Sequence, residues 1–398
     1  MTVAEQDESA SSATDRIARL RRVAEGVIGV PATEGNQIDA LRNGDEIFPA
    51  MLESIESAQC TIDFLTFVYW QGRIGREFAH RLADRAAAGV RVRVLLDAWG
   101  SKPIEPALVD AMERAGVSIR WFRPLRRFRP NELNHRTHRK VLIVDEATGY
   151  VGGVGIADEW LGDARDESEW RDTHFRIRGP AVDGLRAAFL DNWSETDPEL
   201  FDDEYDRFPD QPKPGNAIAQ CVRGASETGH SDVFTLFRAL CQAAEERLRI
   251  ATAYFVPDDE IIDRLCGAVE RGVEVQLLVP GPHADKRFVQ LAGEAAYESL
   301  LARGIEIWSY QPSMLHAKII TVDGVLADIG SANLNARSTS LDEEINVVAF
   351  DEHLVATLDR NFDDDLERSV RLQPGRWKRR SPLQRAAETV VAPFKRLF

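Results

Sequence analysis

Apolar and polar positions along the chain change period in the same order twice. In the first half, residues 47–58 carry the three-to-four-residue spacing of a helix, 61–69 a strand-like apolar run, 73–88 a second helix and 89–97 (GVRVRVLLD) a strand. The second half answers with a helix over 232–246, a strand over 248–255, a helix over 260–270 and a strand over 272–279 (GVEVQLLV). Each half then adds another helix, a strand opened by glycine (116–121 and 304–308) and a strand that contains a histidine (137–144 and 315–322). Strands alternating with helices of this length predict an α/β fold in two tandem halves, with mostly parallel sheets flanked by helices on both faces.

Outside the repeat, composition divides the chain. Residues 1–15 are polar and acidic and predict a disordered arm, 16–202 hold the first half, 203–216 form a linker rich in Asp, Glu and Pro, and 217–372 hold the second half. Residues 373–398 are a basic amphipathic tail: from 376 onward seven Lys or Arg and one acid alternate with Trp377, Leu383, Val390, Val391, Phe394, Leu397 and Phe398, a pattern suited to an anionic leaflet. The halves differ ahead of the histidine strand, where 22 residues separate Gly116 from His138 but only 12 separate Gly304 from His316. The longer connection holds Arg123, Arg126, Arg127 and Arg129, a basic loop that is either simply solvated or a recruiter of phosphate headgroups.

At 398 residues and 44% hydrophobic content the chain buries a large core. Its net charge of −16 opposes wholesale coating of a polyanion, so no nucleic-acid partner is expected. Cys60, Cys221, Cys241 and Cys266 lack ligand spacing and sit in apolar stretches, as thiols of a reducing compartment do. No run of eighteen apolar residues occurs and the N-terminus lacks a basic-then-apolar order, which together predict a cytoplasmic chain without a spanning helix.

The chemistry concentrates in two stretches 178 residues apart: His138-x-Lys140, Asp145 and Gly152-Gly153, then His316-x-Lys318, Asp323 and Gly330-Ser331. On a strand, residues i and i+2 face the same way, so each histidine projects beside its lysine. A histidine can attack phosphorus or move a proton near neutral pH, and a neighbouring lysine can hold phosphate oxygens, so the duplication points to one phosphodiester site built twice. Asp145 and Asp323 fall where aspartate commonly makes turn hydrogen bonds. His135 has no counterpart in the second half, where Ser313 stands, and reads as a loop residue; His174 reads as packing behind Asp172. Phe64, Phe67, Tyr69 and Trp70 read as core, with Tyr69-Trp70 at a strand end able to line a lipid-tail channel. His80, His230, His283 and His353 form no ligand set, so neither a metal site nor a cofactor is expected.

These residues closely resemble the phospholipase D superfamily, whose signature is HxKxxxxD followed by a small-residue turn, and in particular its bacterial cardiolipin synthase branch in a shorter form without N-terminal membrane helices. The resemblance runs from about Gly35 to Asn346 and takes in Trp170-Arg171-Asp172-Thr173, Tyr254-Phe255-Val256-Pro257 and Gly330-Ser331-Ala332-Asn333. It implies two similar halves about a pseudo-twofold axis with one active site at their interface. It also implies that His138 is the nucleophile that forms a phosphohistidine, and that His316 is the acid that protonates the leaving alcohol and then activates the acceptor. Lys140, Lys318 and Asn333 would bind the nonbridging oxygens. Asp172 and Glu344, 34 and 28 residues past the two histidines, stand where the family places an acid that orients the imidazole, with Ser331, Asp145 and Asp323 in supporting positions.

The implied reaction passes a phosphatidyl group from phosphatidylglycerol to a second phosphatidylglycerol, releasing glycerol. With water as acceptor the same chemistry is a phospholipase D that yields phosphatidic acid; a nuclease and a catalytically silent scaffold are the remaining readings. The implied partner is anionic phospholipid at the inner face of the cell membrane, met peripherally. One departure stands out: where the family's first motif reads Gly-Gly-x-Asn, this chain has Gly152-Gly153-Val154-Gly155, and Gly155→Asn is expected to keep or raise activity.

Overall fold

A computed structural model describes residues 3–124, 134–197, 208–224 and 231–381, without the side chains of 3–12 and 376. The first half runs α1 (Val3–Ile28), β1 (Thr33–Arg42), α2 (Asn43–Ser57), β2 (Thr61–Thr66), α3 (Arg73–Ala87), β3 (Arg91–Asp97), α4 (Pro106–Arg114), β4 (Ser118–Phe122), β5 (Val141–Val144), β6 (Thr148–Gly152), β7 (Thr173–Arg178) and α5 (Val182–Ser194). The second half begins with β8 (Ala217–Gly224), α6 (Asp232–Ala243), β9 (Arg247–Thr252), α7 (Asp259–Glu270), β10 (Glu274–Pro280), α8 (Arg287–Ala302) and β11 (Glu306–Tyr310). It continues with β12 (Lys318–Val322), β13 (Leu326–Gly330), α9 (Ala336–Ser340), β14 (Glu344–Phe350), α10 (Glu352–Glu367), β15 (Ser369–Arg371) and α11 (Pro374–Trp377).

All the strands join one sheet, ordered β15-β11-β10-β9-β12-β13-β14-β8-β1-β7-β6-β5-β2-β3-β4. Read outward from the antiparallel β1–β8 seam, both halves have the same order, which is the pseudo-twofold the repeat requires. The expected mostly parallel sheets are instead one mixed sheet. Parallel pairing is confined to β2–β3–β4 and β9–β10–β11, where helices make the crossovers; the other described neighbours are antiparallel. Tight turns produce the antiparallel centre. Asp145 and Glu146 take φ of 50° and 58° between β5 and β6, and Asp323 and Gly324 take 51° and 71° between β12 and β13.

Both sheet faces are apolar because successive strand residues alternate sides. On β5, Leu142 and Val144 join the core under α2 and α3, while Val141 and Ile143 join the core under α5 and α10. That second core crosses the seam, taking Phe175 and Ile177 from one half with Ile345 and Val347 from the other. The expected disordered arm is instead the start of α1, which reaches Ile28. Ala13, Ile17, Leu20, Ala24 and Ile28 recur at helical spacing and pack on the second-half core, where α1 lies against α6.

Part of the expected linker is also packed: Phe208 lies under Arg186 at 4.4 Å and Gln211 donates to the Glu146 carbonyl. The tail begins on the protein surface, with Trp377 5.4 Å from the Tyr297 ring and Arg380 donating to Glu298. Residues 382–398 lie outside the described residues, as do Arg126, Arg127 and Arg129 of the basic loop.

Candidate active site

Neither histidine sits in its strand; each lies just before it. His138 precedes β5 and His316 precedes β12, and both lead-in segments cross to the other half. The His138 N–H donates to the Glu343 carbonyl (2.8 Å) beside a parallel bridge between Thr137 and Glu343, and the His316 N–H donates to the Arg171 carbonyl (2.7 Å) beside a bridge between Arg171 and Leu315. Each half thus pairs its histidine lead-in with the segment that enters an interior strand of the other, β14 or β7.

The orienting acids cross in the same way. His138 Nδ1 lies 3.0 Å from both Glu344 oxygens, and His316 Nδ1 lies 2.9 Å from Asp172 Oδ2. Matching each acid to the histidine before it in sequence would pair them the wrong way round. Glu344 also accepts from Ser331 Oγ (2.5 Å) and Ser338 Oγ (2.6 Å); Asp172 accepts from Trp160 Nε1 (3.0 Å) and the Thr173 N–H (2.8 Å). With Nδ1 held by a carboxylate, the chemistry of each ring falls to Nε2.

Lys140 and Lys318 curl back to the carbonyls of their own histidines, at 2.7 and 2.6 Å, and Lys318 Nζ also lies 3.1 Å from His316 Nδ1. Burial pushes Lys140 down to about 7 and Lys318 to about 8, against the pull of Glu344 and Asp172. Burial lowers His138 despite Glu344, and burial together with Lys318 and Lys140 carries His316 well below the ordinary imidazole value. Burial alone would raise Glu344, but His138, Lys140 and the Ser331 hydroxyl outweigh it and hold the carboxyl low; burial pushes Asp172 up. The cleft therefore sets two imidazoles whose neutral form is favoured beside two lysines held near neutrality, an arrangement that a bound anion would complete.

Asn333 is buried in the turn after β13, and its Oδ1 has no hydrogen-bond partner among the described residues. Its first-half counterpart, Gly155, is explained by packing: a Cβ there would lie 2.6 Å from the Val68 Cβ. That contact opposes the expectation that Gly155→Asn keeps or raises activity. Gly153 is equally constrained, because a Cβ would lie 2.6 Å from both Asp172 oxygens.

Asp145 and Asp323 sit at the far ends of β5 and β12 from the histidines. Asp145 accepts from the N–H groups of Gln59, Cys60 and Thr61, and Asp323 from those of Glu245, Glu246 and Arg247, so each anchors the entry to a neighbouring strand. His135 is a loop residue, as expected, and its Nδ1 lies 3.1 Å from the Leu341 carbonyl of the other half. His174 is buried beside Gly152 and burial lowers it to about 4. Of the aromatic segment, Phe64 and Tyr69 are core, Trp70 donates to the Gly100 carbonyl, and Phe67 meets the His138 ring edge-on at 5.2 Å.

Sequence reasoning missed the walls and clamps. Trp160, Trp170 and Tyr254 surround His316 with centroids at 5.2, 5.4 and 6.1 Å. Arg139, between His138 and Lys140, points to the opposite face, is fully buried, and donates to the Glu344 carbonyl, the Ala188 carbonyl and Asn192. Arg171 makes a two-pronged pair with Asp365 across the seam (2.9 and 2.8 Å). A basic residue inside the first His-x-Lys motif and another beside Asp172 were the available signals, but their burial was not readable.

The profile of the family described as cardiolipin synthase, PLD-like domain, matches residues 51–170 and 237–366. A cardiolipin synthase of Geobacillus kaustophilus is 34% identical over 373 residues, covering 93% of this chain and 74% of its own length. One from Geobacillus thermodenitrificans is 34% identical over 362 residues, covering 90% and 72%. Among solved structures, phosphatidylserine synthase of Haemophilus influenzae superposes with a TM-score of 0.75 over 95% of this chain and all of that one; at 15% identity it speaks for the fold.

Proposed function

This chain belongs to the cardiolipin synthase family of phospholipase D-like proteins, and we propose that it is a phosphatidyltransferase that condenses two phosphatidylglycerol molecules into cardiolipin and glycerol. The observation that carries the reading is the crossed pair of Nδ1-held histidines, each beside a buried lysine. His138 Nε2 attacks phosphorus, the P–N bond forms and the P–O bond to glycerol breaks, and His316 Nε2–H protonates the departing alkoxide. His316 then takes the proton from the acceptor hydroxyl, which attacks phosphorus and breaks the P–N bond.

The first step needs His316 protonated. The phosphodiester anion supplies that state, because it offsets Lys318 and Lys140, whose charges depress His316 in the empty cleft. His138, with its side chain 12% exposed against 6% for His316, is the more open ring, which favours it as nucleophile. Lys140, Lys318 and the Asn333 amide hold the nonbridging oxygens, each such donor being worth about 3 kcal/mol in the transition state. Phe67 beside His138 and the Trp160, Trp170 and Tyr254 rings around His316 keep water from the two reacting histidines, which favours a lipid hydroxyl over hydrolysis.

A phosphatidylglycerol substrate favours a peripheral position at the inner face of the cell membrane. Among the described residues no helix is long and apolar enough to cross a membrane. Incubation with phosphatidylglycerol vesicles and mass spectrometry of the products tests the reading. Cardiolipin with equimolar glycerol supports it, and phosphatidic acid alone makes the chain a hydrolase.

A further inference from the structure

The pseudo-twofold makes each half a control for the other, and beside the two lysines the halves differ. Behind Lys318 and Asn333 a partly open cavity lies between α6 and the sheet, with Val233, Phe234 and Phe237 as its apolar wall. Asp328 on β13 pairs with Ile320 on β12, two residues beyond Lys318, so its carboxyl shares the lysine's face of the sheet and lines the same space. Asp328 is buried, its Oδ1 accepts from Asn346 Nδ2 (2.9 Å), and burial pushes the carboxyl up to about 7. The Thr252 hydroxyl and Asn333 Oδ1 belong to the same lining; both are buried, and neither has a hydrogen-bond partner among the described residues. Polar atoms left so against an apolar wall are costly unless a partner meets them.

The matching positions of the first half are satisfied or filled. The step of 178 residues that carries Lys140 to Lys318 also carries Tyr150 to Asp328 and Gly155 to Asn333. Tyr150 is fully buried and spans the gap to α2, where its hydroxyl donates to the Ala50 carbonyl (2.8 Å). Thr66, which ends β2 as Thr252 ends β9, donates to the Val68 carbonyl (3.0 Å). The Val68 side chain in turn occupies the space beside Gly155. Where the first half has packed core, the second keeps three polar groups around a cavity, on the side of His316.

We propose that this cavity holds the glyceryl headgroup of the phosphatidyl donor, with Asp328, Asn333 Oδ1 and Thr252 Oγ1 bonding its two free hydroxyls and Phe234 and Phe237 covering its carbon chain. The inference rests on the phosphatidyl transfer proposed above and adds to it the selection of the headgroup. Lys318 and Asn333 border both the cavity and the proposed phosphate position, so a group bound there hangs from phosphorus beside His316, the ring assigned to protonate the departing alkoxide. A few placed polar atoms in a mostly apolar lining suit a short polyol. A carboxyl whose charge burial disfavours suits a hydroxyl better than an ammonium, which sets glycerol ahead of ethanolamine or choline.

The test is a competition for the phosphohistidine, formed from a phosphatidyl donor whose leaving group is p-nitrophenol. Glycerol, n-propanol and ethanolamine are offered together, and the phosphatidyl products are counted by mass spectrometry. The native protein is expected to take glycerol over n-propanol by about a hundredfold, roughly a decade for each hydroxyl bound. Asp328→Leu and Thr252→Val are each expected to lower that ratio about tenfold. Melting temperatures check the fold, and Thr252→Val, which removes an unpartnered hydroxyl at constant shape, decides alone where Asp328→Leu does not fold. A native protein that takes glycerol no better than n-propanol overturns the proposal, as does a preference for ethanolamine over glycerol or a ratio unchanged in either folded variant. Cardiolipin formed from phosphatidylglycerol vesicles without a preference for glycerol removes the subsite and leaves the reaction; a preference for glycerol without cardiolipin removes the reaction and leaves the subsite.

Discussion

Glu344→Gln separates the crossed pairing of acid and histidine from the order of residues along the chain. The substitution keeps shape and removes charge from a side chain that meets His138 Nδ1 through both oxygens and receives two serine hydroxyls. A hydrogen bond to a charged group is worth about 1.5–3 kcal/mol, or roughly 10- to 150-fold at ~1.4 kcal/mol per decade. The amide adds a tautomer cost. Ser331 and Ser338 both need an acceptor, and whichever of them draws the carbonyl, an NH2 turned toward Nδ1 drives the imidazole proton onto Nε2, the attacking atom. A wrong tautomer of this kind costs up to about 10⁴. The expected loss is therefore between about 10² and 10⁴, and it falls on formation of the phosphohistidine. Rapid-quench labelling with a phosphodiester whose leaving group needs no proton reads that step alone. Glu344→Gln slows labelling of His138, whereas Asp172→Asn, which disturbs His316, leaves labelling near native and blocks release of the label. Fast labelling in Glu344→Gln together with none in Asp172→Asn refutes the crossed assignment.

Three further outcomes follow from the same geometry. Gly155→Asn drives a Cβ into Val68, so it lowers stability by about 1–3 kcal/mol, as overpacking does, and does not raise activity; denaturant midpoints check this. Gly153→Ala displaces the Asp172 carboxylate, so it retains labelling of His138 by the activated substrate but loses turnover, and a fully active Gly153→Ala contradicts the packing argument. Burial pushes Lys140 down to about 7 and Lys318 to about 8. Accordingly kcat/KM falls as pH rises through that window, while kcat, measured with an anion between the lysines, holds to higher pH; a kcat/KM that climbs from pH 7 to 9 opposes this.

The helices and parallel strands of each half were legible because their apolar period is strong and occurs twice. The antiparallel centre was not, since β5 and β6 look alike whichever neighbours they choose, although Asp323-Gly324 between apolar runs was a hairpin signal that could have been used. The N-terminal helix was hidden by its polar composition, with a stripe of only Ala13, Ile17, Leu20, Ala24 and Ile28 against the core. At the site, His138, Lys140, His316 and Lys318 announce themselves by spacing, and Asp172 and Glu344 by position. The crossover of those two acids, the burial of Arg139 and Arg171 and the convergence of Trp160 and Tyr254 are facts of the seam between halves, and no local period encodes a seam.

The unbroken run of strands through β1 and β8 also governs how a bulky product departs. Two lobes on a flexible tether would release cargo by swinging apart, like jaws. Here the lobes are two ends of one hydrogen-bonded beam, further riveted by Arg171 to Asp365 and Arg42 to Asp364. Opening the jaws would tear that ladder and uncouple both histidines from their acids in the same motion. A four-tailed product therefore has to leave without the two halves swinging apart.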